Sequence, residues 1–399
     1  MSPPPEPEAR RRLLTPEFRT LMLSSSVFFL GAGAQNALLP RFVVDVLGGT
    51  EVTAGVVMGS MAISALLTRV WFGRLGDRRG ARRVLVLGAA FAASAMGVLA
   101  AFPSVPGAVA ARLLIGAGAA AVVTASTLLS IQLAPEDRRS EAASYVLISF
   151  HVGMGLGPMG GEALLGQLPY GAVWLAIGAT TAAGGVLATR LRHRPGDPHA
   201  EPGPLIHPSA VWPGVVTLFG VFAFNGFLMF VPLYAREVGL DQVGAVFMTA
   251  SLTIVVVRLL FGRVPDAVGP IRAGTFALAL TGIATGVVAY WNAPTGLFVG
   301  AVLLAGGLSL QSPSFIAIAV EGVRPAERGS AMATYTGFFD VANALIGPTF
   351  GLIASGLDYR SAFLTAGAMS LVALGILHGV VAPRWRAATR VTMPMNPSR

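Results

Sequence analysis

The chain has no cysteine, and every one of its 28 basic residues is arginine. Without thiols there is no disulfide framework, no cysteine nucleophile and no thiolate metal site. Charge is scarce as well. Asp, Glu, Lys and Arg make up 12% of 399 residues, about half the share a soluble domain uses to cover its surface. Nothing has the spacing of a metal cluster, a nucleophile elbow or a phosphate-binding glycine loop. Gly116-Ala-Gly118 follows no strand and so is not a nucleotide fingerprint. No cofactor, nucleotide or ATP drive is expected, and the chain does not read as an enzyme.

What is present is apolar: 54% of residues are hydrophobic, with a mean hydropathy of +0.69. Runs such as Val84–Phe102 and Gly296–Val320 approach the ~20 residues that carry a helix across ~30 Å of hydrocarbon. A soluble helical core would show amphipathic stripes instead. Six spans are expected near Arg19–Val46, Thr53–Phe72, Val84–Phe102, Val105–Leu128, Ser144–Gly166 and Gly171–Thr189. Six more follow near Val211–Ala235, Val243–Phe261, Ala273–Trp291, Gly296–Val320, Ala331–Ser355 and Ser361–Val381. The organisation is then an N-terminal tail (1–18), a six-helix bundle (19–189), a Pro- and Gly-containing linker (190–210), a second bundle (211–381) and a C-terminal tail (382–399). Met1–Arg12 lacks a cleavage-site pattern, so the first run reads as a retained helix.

Net charge is +9. The arginines fall between apolar runs rather than on one basic face, which argues for membrane loops and against nucleic acid. Arg74, Arg78, Arg79, Arg82 and Arg83 share a side with Arg138 and Arg139, the linker arginines and both tails; the opposite side holds only Arg41, Arg236 and Arg360. The positive-inside rule places both termini and the linker in the cytoplasm, beneath a bacterial inner membrane.

The two halves repeat. Arg69-Val-Trp-Phe-Gly73-Arg74-Leu-Gly-Asp77-Arg-Arg-Gly80 recurs as Arg258-Leu-Leu-Phe-Gly262-Arg263-Val-Pro-Asp266-Ala-Val-Gly269, and Gly157-Pro158 with Gly161 recurs as Gly347-Pro348 with Gly351. Such repeats predict an all-α membrane protein of twelve helices in two pseudo-symmetric six-helix bundles. In such folds substrate binds between the halves and is carried by alternating access.

The loop Gly73-Arg-Leu-Gly-Asp77-Arg78-Arg-Gly80-Ala-Arg82-Arg83 resembles the cytoplasmic signature of the major facilitator superfamily. The resemblance implies a charge latch at Asp77, with Arg78 and Arg82 as partners and Asp266 as the weaker copy, since Ala267 replaces the basic neighbour. In the fourth span, Arg112-Leu-Leu-Ile-Gly116 resembles the arginine signature of the family's proton-coupled exporters, with Ile115 where many members have glutamine. Arg112 lies about 7 Å outward from the helix centre at ~1.5 Å per residue. Val302 stands at the equivalent place in the second half, so the fold does not demand the charge. In the fifth span Gly153, Gly157 and Gly161 fall on one face beside Pro158, a pattern similar to the antiporter signature, with Glu162 where its second glycine is expected.

Ionisable groups inside spans are functional candidates. Arg112, Glu162, Asp340 and His151 are the candidates for proton coupling, and Arg112 is expected to pair with Glu162 when the outer side is shut. Asp340 is the rival carrier, the bland alternative being a structural bond to Asn343 or a neighbouring helix. Many drug exporters of the family carry an acid in the first helix; here the only candidates are Asp45 and Glu51, at the outer edge. Gln35, Asn36, Phe222, Asn225 and Phe227 are candidates for the substrate cavity. The aromatic, Met-bearing seventh span suits amphipathic ligands. The reading is a monomeric, proton-coupled antiporter exporting small amphipathic molecules such as antibiotics or secreted metabolites. An uptake symporter or facilitator is the alternative, and a membrane-embedded enzyme or receptor a distant one.

Overall fold

The computed structural model describes residues 13–135, 138–193, 206–324 and 327–386; parts of both expected tails and of the linker lie outside them. Among the described residues are twelve helices that cross the membrane. In the first half these are α1 (Pro16–Val46), α2 (Glu51–Arg79), α3 (Ala81–Ala101), α4 (Val105–Leu133), α5 (Glu141–Leu165) and α6 (Tyr170–Ala188). The second half supplies α7 (Pro208–Glu237), α8 (Gly244–Phe261), α9 (Pro270–Tyr290), α10 (Pro294–Val320), α11 (Arg328–Gly356) and α12 (Tyr359–Arg386).

Several helices outrun their apolar cores. α2 continues past the expected end at Phe72 through its arginine cluster to Arg79. Hydropathy registers the apolar layer, not the end of the backbone hydrogen-bond ladder. Side-chain caps set true starts: Thr15 accepts from the Phe18 N–H, Thr50 from Thr53 and Ser104 from Gly107. Near the end of α1, Pro40 lacks the N–H that the ladder needs, and the helix finishes as a π turn over Phe42–Val46.

The chain packs as two compact units. One holds the described residues before Pro202 together with Gln242–Leu252; the other holds those of Pro202–Asp241 and from Thr253 onward. The first is built on Phe28, Phe29, Phe72, Val84 and Leu129, the second on Val216, Leu278, Phe315, Tyr335 and Leu377. The duplication is written in the backbone. Gly80 (φ 89°, ψ 136°) and Gly269 (φ 88°, ψ 146°) adopt the same left-handed turn between consecutive helices, a conformation that favours glycine. At the other end of those hairpins, a Cβ on Gly107 would strike the Phe102 carbonyl, and one on Gly296 the Trp291 carbonyl.

Close glycine contacts fix the helices of the first unit. A Cβ on Gly116 would collide with the Met61 carbonyl oxygen, while Gly118 and Gly88 approach so nearly that Cβ atoms there would lie 2.6 and 2.8 Å from each other's carbonyl oxygens. α4 is thereby wedged between α2 and α3. The expected glycine face of α5 packs on α1: Gly153 on Phe29, Gly157 on the Leu30 carbonyl, and Gly161 on Ala34 and Leu38. Gly160, one position away, meets nothing within 4 Å. Gly157→Ala should therefore cost about 1–3 kcal/mol of stability through overpacking, whereas Gly160→Ala should leave stability unchanged. Thermal midpoints of the two purified variants check this, and equal midpoints would refute the packing assignment.

Candidate functional site

The close α4–α2 approach at Gly116 draws Arg112, one turn earlier, onto the neighbouring turn of α2. There the guanidinium Nη2 donates to the Met58 carbonyl at 2.9 Å. Its Nη1 donates to Gln35 Oε1 at 2.9 Å and to Asn36 Oδ1 at 3.0 Å. Arg112 is 2% exposed and Gln35 1%, so a full positive charge sits in the interior of the first unit on neutral oxygens alone. Arg112 Nε and Gln35 Nε2 are buried without a hydrogen-bond partner among the described residues. Gln35 and Asn36 are thus brought to the arginine.

Arg112 and Glu162, expected to pair when the outer side is shut, have other partners in this structure. Glu162 instead receives the Val243 N–H on Oε1 at 2.7 Å and the Gly244 N–H on Oε2 at 2.8 Å, with Arg41 Nη1 3.8 Å from Oε1. Its side chain is 8% exposed. The carboxylate caps the start of α8, where unsatisfied amide donors and the helix dipole favour negative charge. A Cβ on Gly244 would stand 2.8 Å from Oε2, so glycine lets the carboxylate in. Arg41 and the backbone amides of Val243 and Gly244 are partners of Glu162 that the sequence did not announce. Arg41 was legible as a rare outer-side arginine, whereas backbone donors have no residue signature.

His151 is buried at 8% exposure, edge-on to Phe150. At the end of α2, Asp77 is exposed and makes no hydrogen bond or ion pair with a described residue. Arg82, named as its partner, donates to the Leu191 carbonyl at 2.9 Å and the Thr189 carbonyl at 3.4 Å, tying down the end of α6. Gly73 is part-buried, Arg78 exposed, and Asp266 exposed in the short helix Val264–Val268. Pro158 lies inside α5 against Gly33, and Pro348 inside α11 beside the buried Gly347.

In the second unit Asn225 donates to Asn343 at 2.9 Å, and Asn343 donates to the Phe339 carbonyl at 2.8 Å. Asn343 thus engages Asn225 and the α11 backbone, and Asp340 is 5% exposed. Phe222 is 6% exposed, while Phe227 is fully buried against Phe363 in the unit's aromatic interior. On α10, Gln311 is 1% exposed, and its Nε2 has no hydrogen-bond partner among the described residues. Sequence reading passed over it, although a glutamine inside an apolar span is itself a signal. No group of three or more potential metal ligands occurs among the described residues.

Curated relatives include an uncharacterised MFS-type transporter of Salmonella typhimurium, 28% identical over 89% of this chain and 95% of its own length. Another, from Burkholderia mallei, is 28% identical over 85% of this chain and 86% of its own. Among solved structures, the peptide transporter POT in complex with sulfate superposes with a TM-score of 0.79 at 14% identity, covering 92% of this chain and 94% of that one. The nucleoside transporter NupG gives 0.76 at 15% identity, over 91% and 99%. The human organic anion transporter MFSD10 gives 0.71 at 18%, over 94% and 100%. At these identities the likeness is one of fold. The Major Facilitator Superfamily profile matches residues 21–296 and 241–394; with twelve membrane helices and a duplicated backbone beside that match, the chain belongs to the major facilitator superfamily of secondary transporters and is not an enzyme.

Proposed function

We propose that this transporter is a proton-coupled antiporter that exports small amphipathic molecules across the bacterial cytoplasmic membrane, with both termini on the cytoplasmic side. The observation that carries the coupling is the Glu162 clasp. An ionised carboxylate accepts two backbone N–H groups at 2.7 and 2.8 Å and faces Arg41. Hydrogen bonds to an ionised acceptor are about twice as strong as neutral ones. Protonation removes the charge and turns one of the two accepting oxygens into a hydroxyl donor, so it loosens the start of α8 from α5. Proton arrival and a change at that contact are then one event, as an antiporter requires.

Export rather than uptake is supported by the glycine face of α5 against α1, whose sequence is similar to the antiporter signature. The latch role of Asp77 remains part of this proposal: with no partner among the described residues, its carboxylate is available to engage in another state of the cycle. Asp340 and His151 are proposed as the second proton-handling groups, on their burial within spans.

Glu162→Gln keeps the size and one acceptor oxygen but cannot ionise. Transport driven by a pH gradient in proteoliposomes should fall by at least ~10-fold, the effect of about 1.4 kcal/mol, while insertion and yield hold. Undiminished pH-driven transport would end the assignment. A cysteine introduced at position 200, in an otherwise thiol-free chain, should react with an impermeant maleimide only after the inner face is exposed. Labelling in intact cells would reverse the topology.

A further inference from the structure

Neutral oxygens hold Arg112, and that is an incomplete arrangement. A guanidinium taken out of water loses several kcal/mol of solvation, and a close opposite charge is the usual compensation. Here α1 supplies two amide oxygens and α2 a backbone carbonyl, and no described carboxylate reaches the group. Glu162 is occupied by Arg41 and the α8 amides. Two buried donors in the same cluster, Arg112 Nε and Gln35 Nε2, have no acceptor among the described residues. Turning the Gln35 amide over would only set its NH2 against the cation. The cluster therefore has a surplus of positive charge and of N–H donors, which is the complement of an oxyanion.

Of the four residues involved, Gln35, Met58 and Arg112 are each at most 3% exposed, whereas Asn36 is only partly buried. Asn36 is the arm that can give way, since its oxygen is one of two acceptors on Nη1. The second half carries Val302 at the place equivalent to Arg112, so the fold does not depend on a cation there.

We infer that Arg112, Gln35 and Asn36 form a recognition site for a single oxyanion, and that the transported amphipath carries an acidic group, carboxylate or sulfonate, that displaces Asn36 from the guanidinium. This rests on the transporter reading above and names the substrate class within it.

The test uses the full-length protein purified in detergent, with benzoate and octanoate as acidic probes, benzamide as neutral probe, benzylamine as cationic probe and chloride as inorganic anion. At least one acid should bind and raise the thermal midpoint, while benzamide and benzylamine should not. Asn36→Asp and Gln35→Glu place a carboxylate on the guanidinium without removing it, and each should weaken acid binding by at least ~10-fold. Arg112→Lys keeps a charge but not the planar fork, and should bind the acid more weakly than the native chain.

The site assignment falls if no acid binds, if benzamide binds as well as benzoate, or if Asn36→Asp leaves acid affinity unchanged. Binding of chloride without either acid would make the cluster an inorganic anion seat and overturn the substrate assignment. Loss of this inference and loss of the export reading look different. Uncoupler-sensitive efflux restricted to neutral or cationic compounds and indifferent to Asn36→Asp sinks the anion site alone. Acid binding with no proton-driven efflux of any compound sinks the export reading alone.

Discussion

A guanidinium buried at 2% exposure in a membrane-embedded unit, held by three neutral oxygens, is the constraint on which the geometry of the candidate site depends. Desolvation of that charge is expensive, so each oxygen that faces it must be placed by packing rather than left to chance. The glycines do the placing. Gly116 brings α4 against the Met61 turn of α2, which sets Met58 at the guanidinium. Gly33 lies against Gly153 of α5 and Gly31 against α6, which fix the face of α1 that presents Gln35 and Asn36. Apolar helices in lipid gain little from hydrophobic association, so close backbone approach of this kind is how they hold position.

The same α1–α5 pair positions the second charged site. Gly161 closes the upper part of that contact, and the next residue, Glu162, reaches the start of α8 beside Arg41. A residue that replaces a signature glycine has become a cap for another helix. Arg112 and Glu162 are thus separate centres with separate partners: one leaves its cation without an anion, the other satisfies its anion with backbone amides and an arginine. The division underlies the proposed mechanism, in which Glu162 loads protons and Arg112 meets substrate.

Much of the fold was legible in the sequence because lipid imposes a simple rule. Twelve apolar runs correspond to twelve membrane helices among the described residues, and the repeated Arg69–Gly80 segment ends in a turn whose glycine returns at Gly269 with nearly identical backbone angles. Helix ends were less legible, since α2 runs through its arginines and α1 starts at a Thr-Pro cap that hydropathy does not register. The polar groups of the candidate site were legible as residues, and their pairing was not. Arg112, Gln35, Asn36 and Glu162 each stand out as polar groups in apolar runs. That Arg112 would choose two amides, and Glu162 two backbone N–H groups, depends on helix rotation that spacing along one chain does not encode. Arg82 shows the same limit: its partners are carbonyls at the end of α6, invisible in a sequence of side chains.

Among the described residues Arg112 has no anionic partner, and in the reading proposed above it takes one from outside. Anomalous diffraction from crystals of the full chain grown with para-bromobenzoate tests it directly. A bromine peak is expected within the first unit, with the carboxylate on Arg112 and the Asn36 side chain turned away. A guanidinium paired with a carboxylate of the protein, or a bromine peak only at sites remote from Arg112, would contradict it.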